Sequence, residues 1–324
     1  MKKALVVGIN NYPSNPLSAC INDAAALAAL LETDGLGNPN FDVRLETDVN
    51  TKGQLKEYIH SLFSGDSDIA LFYFSGHGYI DDVGGYIVTP DATKHDVGVS
   101  MDEILSLANN SKAKNRIIIL DCCHSGAFGA PKTSGGHASQ LAEGVTILTA
   151  SRDFEPAVED RIMGHGVFTN LLLHAIRGGA ADLKGHITPG SIYAYIDQAL
   201  GSWDQRPVFK TNITRFTSLR TVPPQVPVNT LRKLVEFFLT PEDEYHLDPS
   251  YEDTNTLEIE HNVVEPYANP SNVAIFKVLQ KLQSVGLVLP VDEDYMYFAA
   301  MNSKSCKLTA LGYHYWRLAK EKRF

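Results

Sequence analysis

Short, near-continuous apolar runs punctuate the first half of the chain: ALVVGI (4–9), IALFYF (69–74), RIIIL (116–120) and GVTILTA (144–150). Apolarity without a polar alternate marks strands buried on both faces of a largely parallel sheet. Helical periods lie between them. The spacing predicts helices over 18–32, over 51–64 with Leu55, Ile59 and Leu62 on one stripe, and over 100–110 with Ser100 as cap and acidic residues in the first turn. Two more are expected over 166–179 and 188–203, the latter with Pro189 in its first turn. Strand alternating with helix reads as an α/β fold, a mostly parallel sheet flanked by helices on both faces.

The text changes at VPPQVPV (222–228), where three prolines mark a linker. The expected organisation is a first domain over 1–221, a Pro-rich linker over 222–228 and a second domain over 229–324. Within the second, 269–286 places Ile275, Val278, Leu279 and Leu282 on one helical face and stops at Gly286. LVLPVDEDYMYFAAM (287–301) reads as a hairpin, and LTALGYHYWRLAKEK (308–322) as a closing amphipathic helix. Helix, hairpin and helix together predict a small C-terminal α/β or winged-helix-like domain.

Length and composition narrow the function classes. A chain of 324 residues with 44% apolar and 20% charged residues has an ordinary soluble balance and is long enough for two domains. The net charge is −10, and no basic cluster exceeds the final KEKR. The second domain alone holds ten Lys/Arg against fourteen Asp/Glu from residue 223 onward. Nucleic acid is therefore not an expected partner. Cys20, Cys122, Cys123 and Cys306 form no CxxC pair and no disulfide framework, which points to a reducing, cytoplasmic setting. MKKALVVGINNYP has too short an apolar run for a signal core and reads as a first buried strand. No run is long enough to span a bilayer, so no membrane partner is expected.

Chemistry gathers where two strands end. IALFYF runs into Ser75-Gly76-His77-Gly78, and RIIIL runs into Asp121-Cys122-Cys123-His124-Ser125-Gly126. In open α/β sheets, ligands bind at the carboxyl ends of strands, so both clusters reach one edge. Adjacent residues of an extended chain face opposite ways, so at most one of the paired thiols can easily face a cleft. A thiol needs a base to become a good nucleophile, and His77, flanked by glycines, is uncrowded enough to serve. His124 follows Cys123 directly, points away from it and is read as structural. Cys20, Cys122 and Cys306 suit the role of small buried hydrophobes.

The pair SGHG and DCCHSG, 46 residues apart between His77 and Cys123, resembles the caspase-like cysteine peptidases, most closely the metacaspase and orthocaspase branch, over about residues 1–220. The resemblance implies a caspase-hemoglobinase-like sheet and a Cys/His dyad. Cys123 would be the nucleophile, with Cys122 at the variable position. His77 would be the base, and the N–H groups of Gly78 and Cys123 the oxyanion donors. It further implies cleavage of protein or peptide substrates after Arg or Lys. The pocket for that residue would be built from Asp121, Ser75 and the Cys20-Ile-Asn-Asp23 stretch. No Arg stands at these positions to anchor an acidic side chain. TASRDFEPAVED (149–160), with Glu155, Glu159 and Asp160, is similar to the segment that flanks the substrate groove. Lys132, in the Gly/Ser-rich stretch 126–144, is a candidate for self-processing.

Calcium is not expected to be required, nor any other cofactor. Asp91 and Asp102 lie in the matching regions, but Ala130 stands where calcium-dependent relatives place an Asp, and two scattered carboxylates do not build a six- to eight-oxygen shell. Bacterial caspase-like proteases are often fused to sensing modules. A C-terminal domain that receives an activating partner or small signalling molecule, in a stress, defence or cell-death pathway, is the corresponding expectation. The alternatives are a non-catalytic caspase-fold scaffold, or a relative, such as a peptide ligase, with a different preference at the cleaved residue.

Overall fold

The computed structural model describes residues 1–122, 141–150, 164–200, 206–214, 217–258 and 262–324, together with the backbone of 159–160. Cys123, Lys132 and Glu155 lie outside the described residues, as do the side chains of Glu159 and Asp160. The chain forms two compact units, Met1–Pro223 and Pro224–Phe324.

The first unit opens with β1 (Lys2–Gly8), α1 (Cys20–Glu32), β2 (Asp42–Thr47), α2 (Lys52–Phe63) and β3 (Ile69–Ser75). An antiparallel excursion follows, β4 (Gly78–Ile80), β5 (Gly85–Thr93) and β6 (Asp96–Ser100). Then come α3 (Met101–Asn110), β7 (Asn115–Asp121), β8 (Val145–Thr149), and the two-residue strands β9 (Glu159–Asp160) and β10 (His165–Gly166). The unit closes with α4 (Val167–His174), β11 (His186–Ile187), α5 (Pro189–Ala199), β12 (Val208–Asn212) and β13 (Arg220–Thr221). The central sheet has the order β12-β8-β7-β3-β1-β2, with β12 antiparallel and the rest parallel.

Strand alternation sorts the core into two layers. Val6, Leu71, Tyr73, Ile117 and Ile119 face α1, α4 and α5 through Leu27, Leu31, Leu172 and Ile192. Leu5, Val7, Phe72, Phe74, Ile118 and Leu120 face α2 and α3 through Leu55, Ile59 and Ile104. The apolar runs of the sequence correspond to β1, β3, β7 and β8. The two edge strands were not among the expected elements. In β2 (DVRLET), four of six residues are exposed, and β12 has no fully buried position, so neither has the unbroken apolarity of a central strand.

In the second unit, α6 (Val228–Arg232) and α7 (Leu234–Phe237) lead to β14 (Glu244–His246) and α8 (Pro270–Ser284), followed by β15 (Val288–Pro290), α9 (Met296–Met301), β16 (Ser305–Leu308) and α10 (Ala310–Lys320). The small sheet is antiparallel with the order β14-β16-β15. The hairpin expected over 287–301 differs here. MYFAAM is helical, and the strand that pairs with β15 is Ser305–Leu308. The buried residues of MYFAAM are Met296, Ala299 and Ala300, at i, i+3 and i+4, which is a helical rather than an alternating pattern.

Candidate active site

Three central strands end in register. Gly8 of β1 pairs with Ser75 of β3, which pairs with Asp121 of β7. This brings the loop after β1, the SGHG turn and the DCC turn to one sheet edge. Asp23 joins them from the first turn of α1.

Asp23 and Asp121 are 1% and 7% exposed, an unusual degree of burial for two carboxylates. Burial pushes the Asp23 carboxyl above its ordinary range, while hydrogen bonds from His165, Gly166 and Ser75 pull it back. The bonds are specific. His165 Nδ1 lies 2.7 Å from Asp23 Oδ1, the Gly166 N–H donates to both oxygens at 3.3 and 3.2 Å, and Ser75 Oγ donates to Oδ2 at 3.4 Å. Asp121 Oδ2 accepts from Thr169 Oγ1 at 2.6 Å, and the Tyr73 hydroxyl bonds Thr169 from behind at 2.6 Å. Gly166 is where the two acids meet. A Cβ built there would lie 2.8 Å from Asp121 Oδ2 and 3.3 Å from Asp23 Oδ2. A side chain at this position would collide with the carboxylates, so glycine lets the backbone approach both of them closely.

His77 stands on the other side of the strand tip. Its Nε2 lies 2.6 Å from the carbonyl oxygen of Asn15. A carbonyl only accepts, so Nε2 donates, and in the neutral ring Nδ1 keeps the lone pair. Asn15 holds a left-handed backbone, φ 56°, a conformation asparagine tolerates better than most residues. Tyr12 fixes the turn. Its hydroxyl accepts from the His77 backbone N–H at 3.0 Å and donates to the Val88 carbonyl at 3.3 Å, and its ring centroid lies 4.5 Å from that of the imidazole. Burial raises the phenol well above its ordinary pKa, so it stays protonated. A Cβ at Gly76 would come within 2.5 Å of the Tyr12 hydroxyl, so the first glycine of SGHG makes room for it. Tyr12, Asn15, His77, Gly78, Tyr79 and Thr89 border a cleft of about 290 Å³.

The remaining expected residues are placed as follows. Ser75 ends β3 and touches Asp23. Gly78 opens β4, opposite Ile87 of β5. Cys20 begins α1, one turn before Asp23, and is buried with its carbonyl packed against Gly8. Cys122 is fully buried in the layer that faces α2 and α3. Asp91 accepts from the Lys52 N–H, the first of α2, at 3.1 Å and from Thr89 Oγ1 at 2.6 Å. Among the described residues no cluster of three His, Cys, Asp or Glu side chains is arranged to hold a metal. Sequence reasoning missed Tyr12, Asn15, His165, Gly166, Thr169 and Tyr73. The first two had a usable signal, because β1 ends at the same edge as β3 and β7 and its following loop, NNYPSNP, therefore belongs to the site.

A family model described as the caspase domain, Peptidase C14, matches residues 1–217. The chain belongs to this caspase-domain family of cysteine peptidases. Among solved structures, the crystal structure of caspase-1 from Spodoptera frugiperda aligns with a TM-score of 0.52 at 13% identity, covering 68% of this chain and 90% of that one. A likeness at that identity speaks for the fold alone. It agrees with the mostly parallel, helix-flanked sheet described above. A search of curated proteins gave no match. Caspase-domain membership supports a cysteine peptidase in general, with proteins as the substrate class.

Proposed function

We propose that the chain is a cysteine endopeptidase of the metacaspase type that cleaves after Arg or Lys. Cys123 is the nucleophile, His77 the base, the N–H groups of Gly78 and Cys123 the oxyanion donors, and Asp23, Asp121 and Ser75 the pocket for the basic side chain, with Cys20 supporting Asp23 from one turn away. The observation that carries this reading is the pair of buried carboxylates that both approach Gly166. Two buried carboxyl groups that both approach one glycine suit a guanidinium or ammonium. An acidic side chain would meet two like charges there. Burial withdraws Cys122 from a cleft, which favours Cys123 as the attacking thiol.

The chemistry follows from the His77 tautomer. Nδ1 takes the thiol proton, and the Asn15 carbonyl, already accepting from Nε2, steadies the imidazolium that results. The thiolate adds to the scissile carbonyl, whose oxygen gathers negative charge against the two N–H donors. Nδ1–H then protonates the leaving amine, and water hydrolyses the thioester by the same route reversed. No cofactor enters. Asp91, one of the two acids that resemble calcium ligands, is occupied at the start of α2. Four cysteines with no CxxC spacing suit a reducing cytoplasm, and the separate C-terminal unit suits a regulatory role.

Fluorogenic peptides ending in Arg, Lys, Asp or Asn test the reading on wild type and Cys123→Ala. Arg and Lys peptides should be cleaved, and the variant should lose more than about 10³-fold in kcat/KM. A preference for Asp or Asn removes the basic specificity. Equal activity in the variant removes the mechanism.

A further inference from the structure

His165 plays no part in the chemistry above, yet it makes the shortest contact to Asp23, 2.7 Å from Nδ1 to Oδ1, while its own side chain remains 24% exposed. A carboxylate offers about four acceptor positions. At Asp23 the His165, Gly166 and Ser75 donors already use most of them. An incoming cation therefore shares Asp23 with an imidazole, the side chain whose charge ordinarily changes between about pH 5 and 8.

We propose that His165 is a specificity-determining residue of the acidic pocket. Neutral, it donates one hydrogen bond and leaves Asp23 and Asp121 both negative; protonated, it cancels one of those charges and weakens the pocket's hold on a cationic side chain. This rests on the basic-specificity reading. Among the described residues, the charged and titratable groups around His165 are Asp23 on α1 and, beyond Gly166, Asp121 on β7. Asp160 of the paired strand β9 is its register partner. Ser75 and Thr169 complete the cluster without titrating. Among the described residues the charged groups of this cluster are the carboxylates Asp23 and Asp121, so one added positive charge changes their summed charge by a large fraction.

The test compares kcat/KM for two peptides that differ only in arginine or its neutral isostere citrulline at the cleaved position. Protonation of His77 affects both equally, so their ratio isolates the pocket. In wild type the Arg/citrulline ratio should rise about tenfold from pH 5.5 to pH 8. His165→Asn keeps a donor near the position of Nδ1 but cannot titrate. Its ratio should stay at the high-pH wild-type value throughout, with an unchanged melting temperature. A wild-type ratio that favours Arg without varying with pH overturns the role of His165 and leaves the basic specificity intact. A slope that persists in His165→Asn assigns the titration to Asp23 and overturns it equally. Failure to cleave the Arg peptide at any pH overturns both. Binding of benzamidine to Cys123→Ala, followed by calorimetry, should show the same pH dependence, and should lose it when His165→Asn is added.

Discussion

Asp23 is held against its own preference. Burial raises its carboxyl pKa, and three donors oppose that shift without cancelling it. A raised folded-state value means that this group favours folding at pH values below the ordinary carboxylate range, near pH 4, and that the contribution is lost as pH rises through the raised value. At neutral pH an ionised Asp23 is therefore a burden on stability. Asp23→Asn should melt at or above the wild-type temperature at pH 7, with any advantage shrinking toward pH 4. It should also lose about 10- to 100-fold in kcat/KM on Arg peptides. Thermal scans at the two pH values, together with the peptide assay, check both halves. The residues at this scale were unequally legible. His77 and Asp121 stand beside glycines and a cysteine pair directly after apolar strands, which announces them. His165 lies 142 positions from Asp23, in no periodic pattern, and only the folded chain makes them partners.

Elements show why the apolar-run criterion succeeds in the middle of a sheet and fails at its margins. β3 is buried at all seven positions, whereas β2 alternates weakly among charged residues. The excursion β4–β6 was likewise invisible as strands, yet it supplies Val88, whose carbonyl accepts from the Tyr12 hydroxyl. It also carries Asp91 to the start of α2, where Thr51 adds a second cap through Gln54 N–H. Asp91 thus serves a helix terminus. Asp91→Ala should lower stability by about 1 kcal/mol. Neither added calcium nor a chelator should change peptide cleavage by wild type, and large activation by calcium in a titration would contradict the metal-free reading.

Across the whole molecule, the two units carry separate cores and separate polar anchors. In the second, Asn255 is fully buried and donates to the carbonyls of Pro249, Val264 and Pro266 while accepting from the Val264 N–H. Asn255→Ala leaves those groups unpaired and should cost about 3 kcal/mol or more. Hydrogen exchange should rise in 224–324 and stay unchanged in 1–223, since the broken bonds all lie in the later unit. For the first unit, residue order was enough to name the central strands of the sheet and to bring Ser75 and Asp121 to one edge. Burial on both faces and the Gly-flanked turns are local properties, written in consecutive residues. Folding alone decides how Asp23, Ser75, Asp121, His165 and Gly166 meet, and which nitrogen of His77 keeps its lone pair. Those outcomes depend on distances between segments far apart in the chain, which no local pattern encodes.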